Sequence, residues 1–326
     1  MRYIVIGAGA VGGTIGARLH QGGHDVLLIA RGAHYEALKR DGLRLITPET
    51  TETLDIPAAD GPVPARDDDV LILATKSQDT IAALAGWPSD LPVVCAQNGV
   101  DNERMVLRRF SRVYGMCVWL PAQHLEPGVV AAYAHPYSGI LQVGLYPQGV
   151  DDFAEQIATD LGKPSSGGLV ARAVPDVMRW KHGKLLGNLA NAVEALVGHV
   201  DGRAAVVERA RAEAATVLDR AGIAYATPED ERQVRGHQAD ARPIEGITRG
   251  GGSSWQSLAR ASGSIEADYL NGEIVLLGRL HGVPAPVNEV LRSEANRFAR
   301  EKLPPASMPL ETLVALIDER CAAGSR

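Results

Sequence analysis

Short apolar runs separated by turn-forming residues dominate the first half of the chain. Arg2 to Ile6 is the first run, and Gly7-Ala-Gly9-Ala-Val-Gly12 follows it directly. Thr14 to Gln21 continues with apolar residues at helical spacing, and His24 to Ile29 is apolar again. Further strands are expected at Val70–Ala74, Pro92–Ala96, Arg112–Val118, Val129–Ala134 and Ile140–Leu145. Beyond a Pro/Ser/Gly-rich connection at Gly162–Gly168 the apolar period becomes helical. One long helix is expected from Asp176 to His199, and another from Arg203 to Ala221, stopped by Gly222. A shorter polar helix follows from Pro228 to Ala239. Ser264 is placed to cap a helix from Ile265 to His281, with Gly282 and Pro284 beyond its end, and Pro286–Glu301 and Leu310–Cys321 complete the series. The pattern predicts an α/β domain over residues 1–168 and an all-α domain over residues 169–326.

Composition narrows the class. At 326 residues the chain exceeds what one core usually serves, which agrees with two domains. Hydrophobic residues are 45% and charged residues 22%, ordinary for a globular protein. The net charge of -6 and a pI near 5.9 argue against a nucleic-acid surface. No apolar run reaches the ~20 residues of a membrane span. The glycines and the lack of a basic leader near the start do not resemble a signal peptide. Cys95, Cys117 and Cys321 have no paired spacing, so a reducing cytoplasm is expected. His182, His199 and His281 show no metal spacing with each other or with the cysteines, and no metal site is expected. A homodimer is left open.

The glycines carry the first chemistry. Strand, glycine loop, helix and strand within about 30 residues is the context of a Rossmann-type dinucleotide site. Gly7 permits the tight turn, Gly9 lets the backbone approach a pyrophosphate, and Gly12 lets the helix pack on the strand. Ala8, Ala10 and Val11 complete the loop, and the helix N-terminus offers N–H groups to the phosphates. The alternative is a glycine-rich turn that binds nothing. The second strand ends Leu28-Ile-Ala-Arg31-Gly32, with no carboxylate to bind a ribose 2′-hydroxyl. Arg31 can instead pair with a 2′-phosphate, which favours NADP(H), unless it is only a solvated strand-end charge. Lys76 and Asn98 also follow strands, where ligands bind in open α/β sheets. Either could equally belong to a plain loop. Asp67-Asp68-Asp69 is expected to be a solvated turn.

In the second half, Trp180 to Ala192 is expected to be helical. At 100° per residue, Lys184, Asn188 and Asn191 fall within about 60° of each other. Such a face could hold a polar ligand and give it a proton. Gly250-Gly251-Gly252 precedes Ser253-Ser254-Trp255, which puts hydroxyls at the end of an expected mobile loop. Glu266 falls in the first turn of the next expected helix, where it serves either a ligand or simply the helix dipole. Asn271-Gly272 is expected inside that helix, with the glycine allowing a close approach.

Together these residues resemble the ketopantoate reductase (2-dehydropantoate 2-reductase) family, over nearly the whole chain. Gly7-Ala-Gly9-Ala-Val-Gly12, Arg31, Lys76 and Asn98-Gly99 occur in the family's order and spacing. Lys184-Leu-Leu-Gly-Asn188 resembles its lysine helix, and Ser253-Ser254-Trp255 its serine pair. Glu266-Ala-Asp-Tyr-Leu-Asn271-Gly272 and His281-Gly-Val-Pro-Ala-Pro286 resemble two further signatures, and the Ser254-to-Glu266 spacing agrees. The resemblance implies NADPH-dependent reduction of a 2-oxo acid, ketopantoate, to pantoate in pantothenate biosynthesis. It implies that Lys184 is the general acid and that Glu266 orients the substrate hydroxyl. Asn98, Asn188 and Ser254 would hydrogen-bond the substrate, and Lys76 would lie at the cofactor edge. Three departures bear on the substrate. Ala192 stands where the family has an asparagine, with Asn191 one residue earlier. Trp180 is displaced relative to the lysine, which makes Lys181 a competitor of Lys184. Cys117-Val-Trp119-Leu-Pro121 is bulkier than the family's small residues. The alternatives are a reductase of another 2-oxo acid or an imine, and a non-catalytic NADP(H)-binding regulator.

Overall fold

The computed structural model describes residues 1–162 and 168–324, so residues 163–167 of the expected Gly162–Gly168 connection lie outside the described residues. Its elements run β1 (Arg2–Ile6), α1 (Ala10–Gln21), β2 (Asp25–Ile29), α2 (Gly32–Asp41), β3 (Leu43–Ile46), β4 (Thr51–Leu54), β5 (Ala58–Ala59), β6 (Asp69–Leu73), α3 (Thr80–Ala83), β7 (Val93–Cys95), α4 (Asn102–Leu107), β8 (Val113–Trp119), β9 (Ala122–Glu126), β10 (Val129–Ala132), β11 (Ala134–Pro136), β12 (Gly139–Leu145), α5 (Asp152–Leu161) and β13 (Leu169–Ala173). Then come α6 (Val177–Asn188), α7 (Ala190–Val197), α8 (Arg203–Ala221), α9 (Pro228–Arg235), β14 (Ala239–Ala241), α10 (Ser253–Ala259), α11 (Asn271–His281), α12 (Pro286–Arg300) and α13 (Leu310–Gly324). Two 3-10 turns, Ser77–Asp79 and Glu266–Tyr269, precede α3 and α11.

Two compact units result. The first holds Met1–Asn98, Asn102–Trp180 and Thr227–Arg249, and the second holds Gly99–Asp101, Lys181–Ala226 and Gly250–Arg326. The division is therefore not a single cut after residue 168. The reason is strand pairing: β13 joins β12 in parallel register, and β14 joins β11 antiparallel. Among the described residues the second unit contains helices and no strands, and no helix is long and apolar enough to cross a membrane.

The first unit is built on an eight-stranded sheet ordered β13-β12-β8-β7-β6-β1-β2-β5. Strands β1, β2, β5, β6, β7 and β8 are parallel, and β12 runs antiparallel to β8. Every residue of β1 and β6 is buried, as expected of central parallel strands covered on both faces. A smaller sheet, β4-β3-β10-β9, lies in the same unit. A Cβ on Gly13 of α1 would come within 3.0 Å of Val130 in β10, so α1 packs against the small sheet. A Cβ on Gly16 would come within 2.6 Å of Leu28 in β2, so the same helix also packs on the large one.

Asp69 is not in a solvated turn. It opens β6, is 1% exposed, and accepts two hydrogen bonds from the Arg2 guanidinium at 2.7 Å each. Register brings the two together, because Arg2 of β1 lies beside Asp69 of β6. Burial works to raise the Asp69 pKa, but Arg2 and the Arg66 N–H outweigh it and hold the carboxyl below the usual range.

In the second unit α7, α10, α12 and α13 share a core that includes Val193, Leu196, Leu258, Leu291, Phe298 and Leu313. Two expected helices are interrupted. The Asp176–His199 segment forms α6 and α7 with Leu189 between them, and the Ile265–His281 segment forms a 3-10 turn and α11 with a break at Leu270 (φ -113, ψ -90). Asn271 and Gly272 therefore open α11 instead of lying within a helix. A Cβ on Gly272 would come within 3.0 Å of the Arg292 side chain and 3.2 Å of the Ala267 carbonyl, so the glycine does serve a close approach.

Candidate active site

Strands β1, β2, β6 and β7 are parallel, so Gly7, Ala30, Ala74 and Ala96 leave the sheet at the same edge. The chain goes from β1 to β2 on one side and later places β6 on the other. Ligands of open α/β sheets bind where the order reverses in this way. Gly7 has φ +97, and a Cβ there would lie within 3.0 Å of Thr75 and Ala74. A Cβ on Gly12 would lie 2.1 Å from the Gly7 carbonyl oxygen and 2.9 Å from Ala74 Cβ. Both positions are closed by the protein itself. Gly9 differs: nothing lies within 4 Å of where its Cβ would be.

That open position sits at the N-terminus of α1. Gly9 caps the helix without a side-chain hydrogen bond, and the first turn has no acidic residue. The first N–H groups of an α-helix have no intrahelical acceptor, and here they belong to Ala10, Val11 and Gly12. The helix dipole adds partial positive charge at the same point. Open space, N–H donors and no competing carboxylate suit the pyrophosphate of a dinucleotide. Arg31 is exposed, caps α2 with extended backbone (φ -129, ψ 155), and precedes Gly32 with φ +56. Its fork can bind a phosphate on the ribose.

The strand ends on the other side of β1 carry Lys76 and Asn98, both half-buried. The Lys76 carbonyl accepts from the Asp79 N–H at 2.9 Å in the 3-10 turn. The Asn98 carbonyl accepts from Asn102 Nδ2 at 2.8 Å. Asn102 Oδ1 accepts from Thr80 Oγ1 at 3.0 Å, and Gln97 Nε2 donates to that hydroxyl at 2.8 Å. Gln97, Thr80 and Asn102 are all buried, so a buried polar chain fixes the backbone at Asn98. Sequence analysis assigned no task to Gln97 or Asn102, whose partners become evident only in the fold.

In the second unit, Lys184 and Asn188 are both half-buried and stand one turn apart on α6. Lys181, the competitor, is only 4% exposed. Asn191 lies on α7, beyond the interruption at Leu189, and its Nδ2 donates to Ser253 Oγ at 3.4 Å. Glu194, one turn further along α7, was missed from the sequence. Its Oε2 accepts from the Gly252 N–H at 3.0 Å, and its Oε1 lies 2.9 Å from His199 Nε2. A Cβ on Gly252 would come within 2.9 Å of Glu194 and 3.1 Å of Asn191, and one on Gly251 within 2.6 Å of Trp255. The glycines expected to make a mobile loop thus serve close packing, which seats α10 on α7. Ser254 is 3% exposed in the first turn of α10. Glu266 is 4% exposed in the 3-10 turn and is not in the first turn of a long helix.

The departures Trp119 and Trp180 fall together. Trp119 ends β8 and meets Trp180 edge to face, with ring centroids 6.1 Å apart and planes at 83°. The Arg179 guanidinium lies over the Trp180 ring at 5.2 Å.

Comparisons with known proteins agree across the chain. The family model "Ketopantoate reductase PanE/ApbA" matches residues 3–148, and "Ketopantoate reductase PanE/ApbA C terminal" matches residues 176–297. A 2-dehydropantoate 2-reductase of Pyrococcus horikoshii is 28% identical over 302 residues, covering 89% of this chain and 95% of that protein. One of Archaeoglobus fulgidus is 30% identical over 300 residues, with the same coverage of 89% and 95%. The crystal structure of a PanE/ApbA family ketopantoate reductase from Ralstonia eutropha superposes with a TM-score of 0.76 at 26% identity, covering 93% of this chain and 99% of that one. The chain belongs to the ketopantoate reductase family and is an oxidoreductase that uses a nicotinamide dinucleotide.

Proposed function

We propose that this protein reduces a 2-oxo acid with NADPH, and that the acid is 2-dehydropantoate, giving pantoate for pantothenate biosynthesis. The observation that carries the cofactor half is the open position at Gly9 before the N–H groups of Ala10, Val11 and Gly12. Gly7 and Ala8 shape the turn that leads there. Arg31 would hold the 2′-phosphate that distinguishes NADPH, and Lys76 and Asn98, at the neighbouring strand ends, would contact the cofactor. The reduced dinucleotide supplies a hydride to the carbonyl carbon. Negative charge then develops on the carbonyl oxygen. Lys184 stabilises that charge and transfers a proton from Nζ to the oxygen, giving the 2-hydroxy acid. The partial exposure of Lys184, against the burial of Lys181, supports this choice of lysine. Asn98, Asn188 and Ser254 hydrogen-bond the substrate, Asn191 aligns the serine pair through Ser253, and Glu266 orients the substrate hydroxyl. Fixing these groups before reaction lowers the entropic part of the barrier. A reducing cytoplasm suits Cys95, Cys117 and Cys321, none of which forms a disulfide.

The test is oxidation of NADPH and of NADH with 2-dehydropantoate and with a panel of other 2-oxo acids and imines. Turnover of 2-dehydropantoate with a preference for NADPH is expected. A second reading, a reductase of a different 2-oxo acid, is favoured by one observation: Trp119, in a segment bulkier than the family's, packs edge to face on the displaced Trp180. Turnover of other acids but not of 2-dehydropantoate would select it. Tight NADPH binding with no turnover of any acid would point to a regulator.

A further inference from the structure

His34 belongs to no part of that reading, yet it touches the glycine loop. It lies in the first turn of α2, half-buried, and its Nε2 is 2.7 Å from the Ala8 carbonyl oxygen. The Gly128 N–H, in the turn between β9 and β10, points at Nδ1 from 2.9 Å. A backbone N–H can only donate, so Nδ1 carries the lone pair and Nε2 carries the proton. Nε2–H therefore donates to Ala8. His124 of β9 completes the setting, with its Nε2 3.3 Å from His34 Nδ1 and the two rings edge to face at 4.5 Å.

We propose that His34 is a positioning residue for the cofactor: as the Nε2–H tautomer it ties the Ala8 carbonyl to the Gly128 turn and so holds the glycine loop where its N–H groups meet the pyrophosphate. The inference rests on the reading of the glycine loop given above. Ala8 sits between the closed position at Gly7 and the open one at Gly9, so movement of its peptide moves the surface that a dinucleotide would meet. The tie crosses from the large sheet to the small one, because Ala8 follows β1 and Gly128 precedes β10.

The tie is also sensitive to protons. Protonation puts a hydrogen on Nδ1, which already faces the Gly128 N–H, so the charged ring opposes that donor instead of accepting from it. Burial lowers the His34 pKa from its ordinary value, more than the Ala8 hydrogen bond raises it. Among the described residues the titratable group that faces the ring is His124 from β9, while the glycine loop and the Gly128 turn present backbone only. Glu36 and Lys39 on α2 itself are exposed. The tie is intact above the lowered pKa and opens as pH falls through it, taking cofactor affinity with it.

The test is the dissociation constant of NADPH, from quenching of tryptophan fluorescence, and the steady-state constants, for the full-length protein from mildly acidic to pH 8. Losing one hydrogen bond in His34→Ala should weaken NADPH about tenfold at pH 8, the equivalent of ~1.4 kcal/mol, while kcat at saturating cofactor changes less than about twofold. His34→Gln keeps a donor and an acceptor and should recover most of the affinity, but without the acid-side weakening. The cofactor's own phosphate also titrates near pH 6, so the wild-type profile is read as its difference from His34→Gln. An unchanged dissociation constant in folded His34→Ala, or identical pH profiles in wild type and His34→Gln, would overturn the role of His34 alone. Failure of the wild-type protein to bind NADPH would overturn the glycine-loop reading and this inference with it.

Discussion

The two units prepare their parts of the chemistry by different means. In the first, the proposed cofactor surface is backbone: a turn at Gly7, an open position at Gly9 and the N–H groups that begin α1. Its side chains mostly hold that backbone in place, as Gln97, Thr80 and Asn102 do at Asn98. In the second, the proposed working groups are side chains, carried on a helical backbone that breaks at two points. Helices stop at Asn188 and restart at Ala190, and a 3-10 turn carries Glu266 before α11 begins. A dinucleotide presents the same phosphates in every enzyme that uses it, so a backbone site suffices. A substrate is particular, so its site is written in side chains.

Lys184→Ala should break the comparison most sharply. It should cost about a hundredfold to ten-thousandfold in kcat, the range of general acid catalysis, while NADPH affinity stays within about twofold. A stopped-flow measurement of hydride transfer together with equilibrium titration of the cofactor checks this, and unchanged turnover removes Lys184 from the mechanism. The next contrast lies within the glycine loop. Gly12→Ala would drive a methyl to 2.1 Å from the Gly7 carbonyl and should cost ~1–3 kcal/mol or more by urea unfolding. Gly9→Ala has φ -72 and open space, so stability should stay within ~0.5 kcal/mol while NADPH binding weakens. Equal loss of stability in both variants would mean that Gly9 is a packing glycine like the other. Arg31→Ala should then lower the preference for NADPH over NADH by about tenfold or more, as expected for a charge-assisted contact of ~1.5–3 kcal/mol. A preference ratio that does not move assigns Arg31 to the solvent.

The smallest effects separate the units by pH. Asp69 in the first unit faces an arginine fork, and its pKa is lowered. Glu213 in the second accepts from the Val287 and Asn288 N–H groups and from Asn288 Nδ2, yet burial outweighs these neutral donors and its pKa is raised above 4.5. The signs are opposite. Asp69 stabilises the fold above its unfolded value, and this is lost as pH falls through the depressed folded value. The Glu213 contribution is present below 4.5 and is lost as pH rises through the elevated folded value. Unfolding curves of Asp69→Asn and Glu213→Gln across the acid range should lose the corresponding slopes, and parallel curves for wild type and variants would remove this account.

Much of the first unit was legible in the sequence because its central strands are continuous apolar runs and its glycines have fixed spacing. Of the small sheet only β10 was legible, within the expected Val129–Ala134 strand. Its strands Thr51–Leu54 and Ala122–Glu126 are short and mostly polar or half-exposed, so they lack the apolar runs used to find the others. Asp69 was misread because its partner Arg2 is 67 residues away and only the sheet register joins them. In the second unit the helices other than α10 were legible, but the interruptions at Leu189 and Leu270 were not, since leucine gives no local signal to stop. Just after the second break, Gly272 packs closely on the Arg292 side chain. Lys184 and Asn188 were picked out by their spacing, and the structure sets them one turn apart on α6. Glu194 was missed because its task, holding Gly252, depends on a residue 58 positions later.

The return of Thr227–Arg249 to the first unit has a consequence for how the protein is made. A ribosome releases the chain in order, and β11 waits for β14, about a hundred residues downstream, before it can pair. By then α6, α7 and α8 have already emerged. The first unit therefore completes its strand pairing only after much of the second has been synthesised. No truncation at a single point can yield the intact nucleotide-binding half, and a split version would need the 227–249 segment supplied separately.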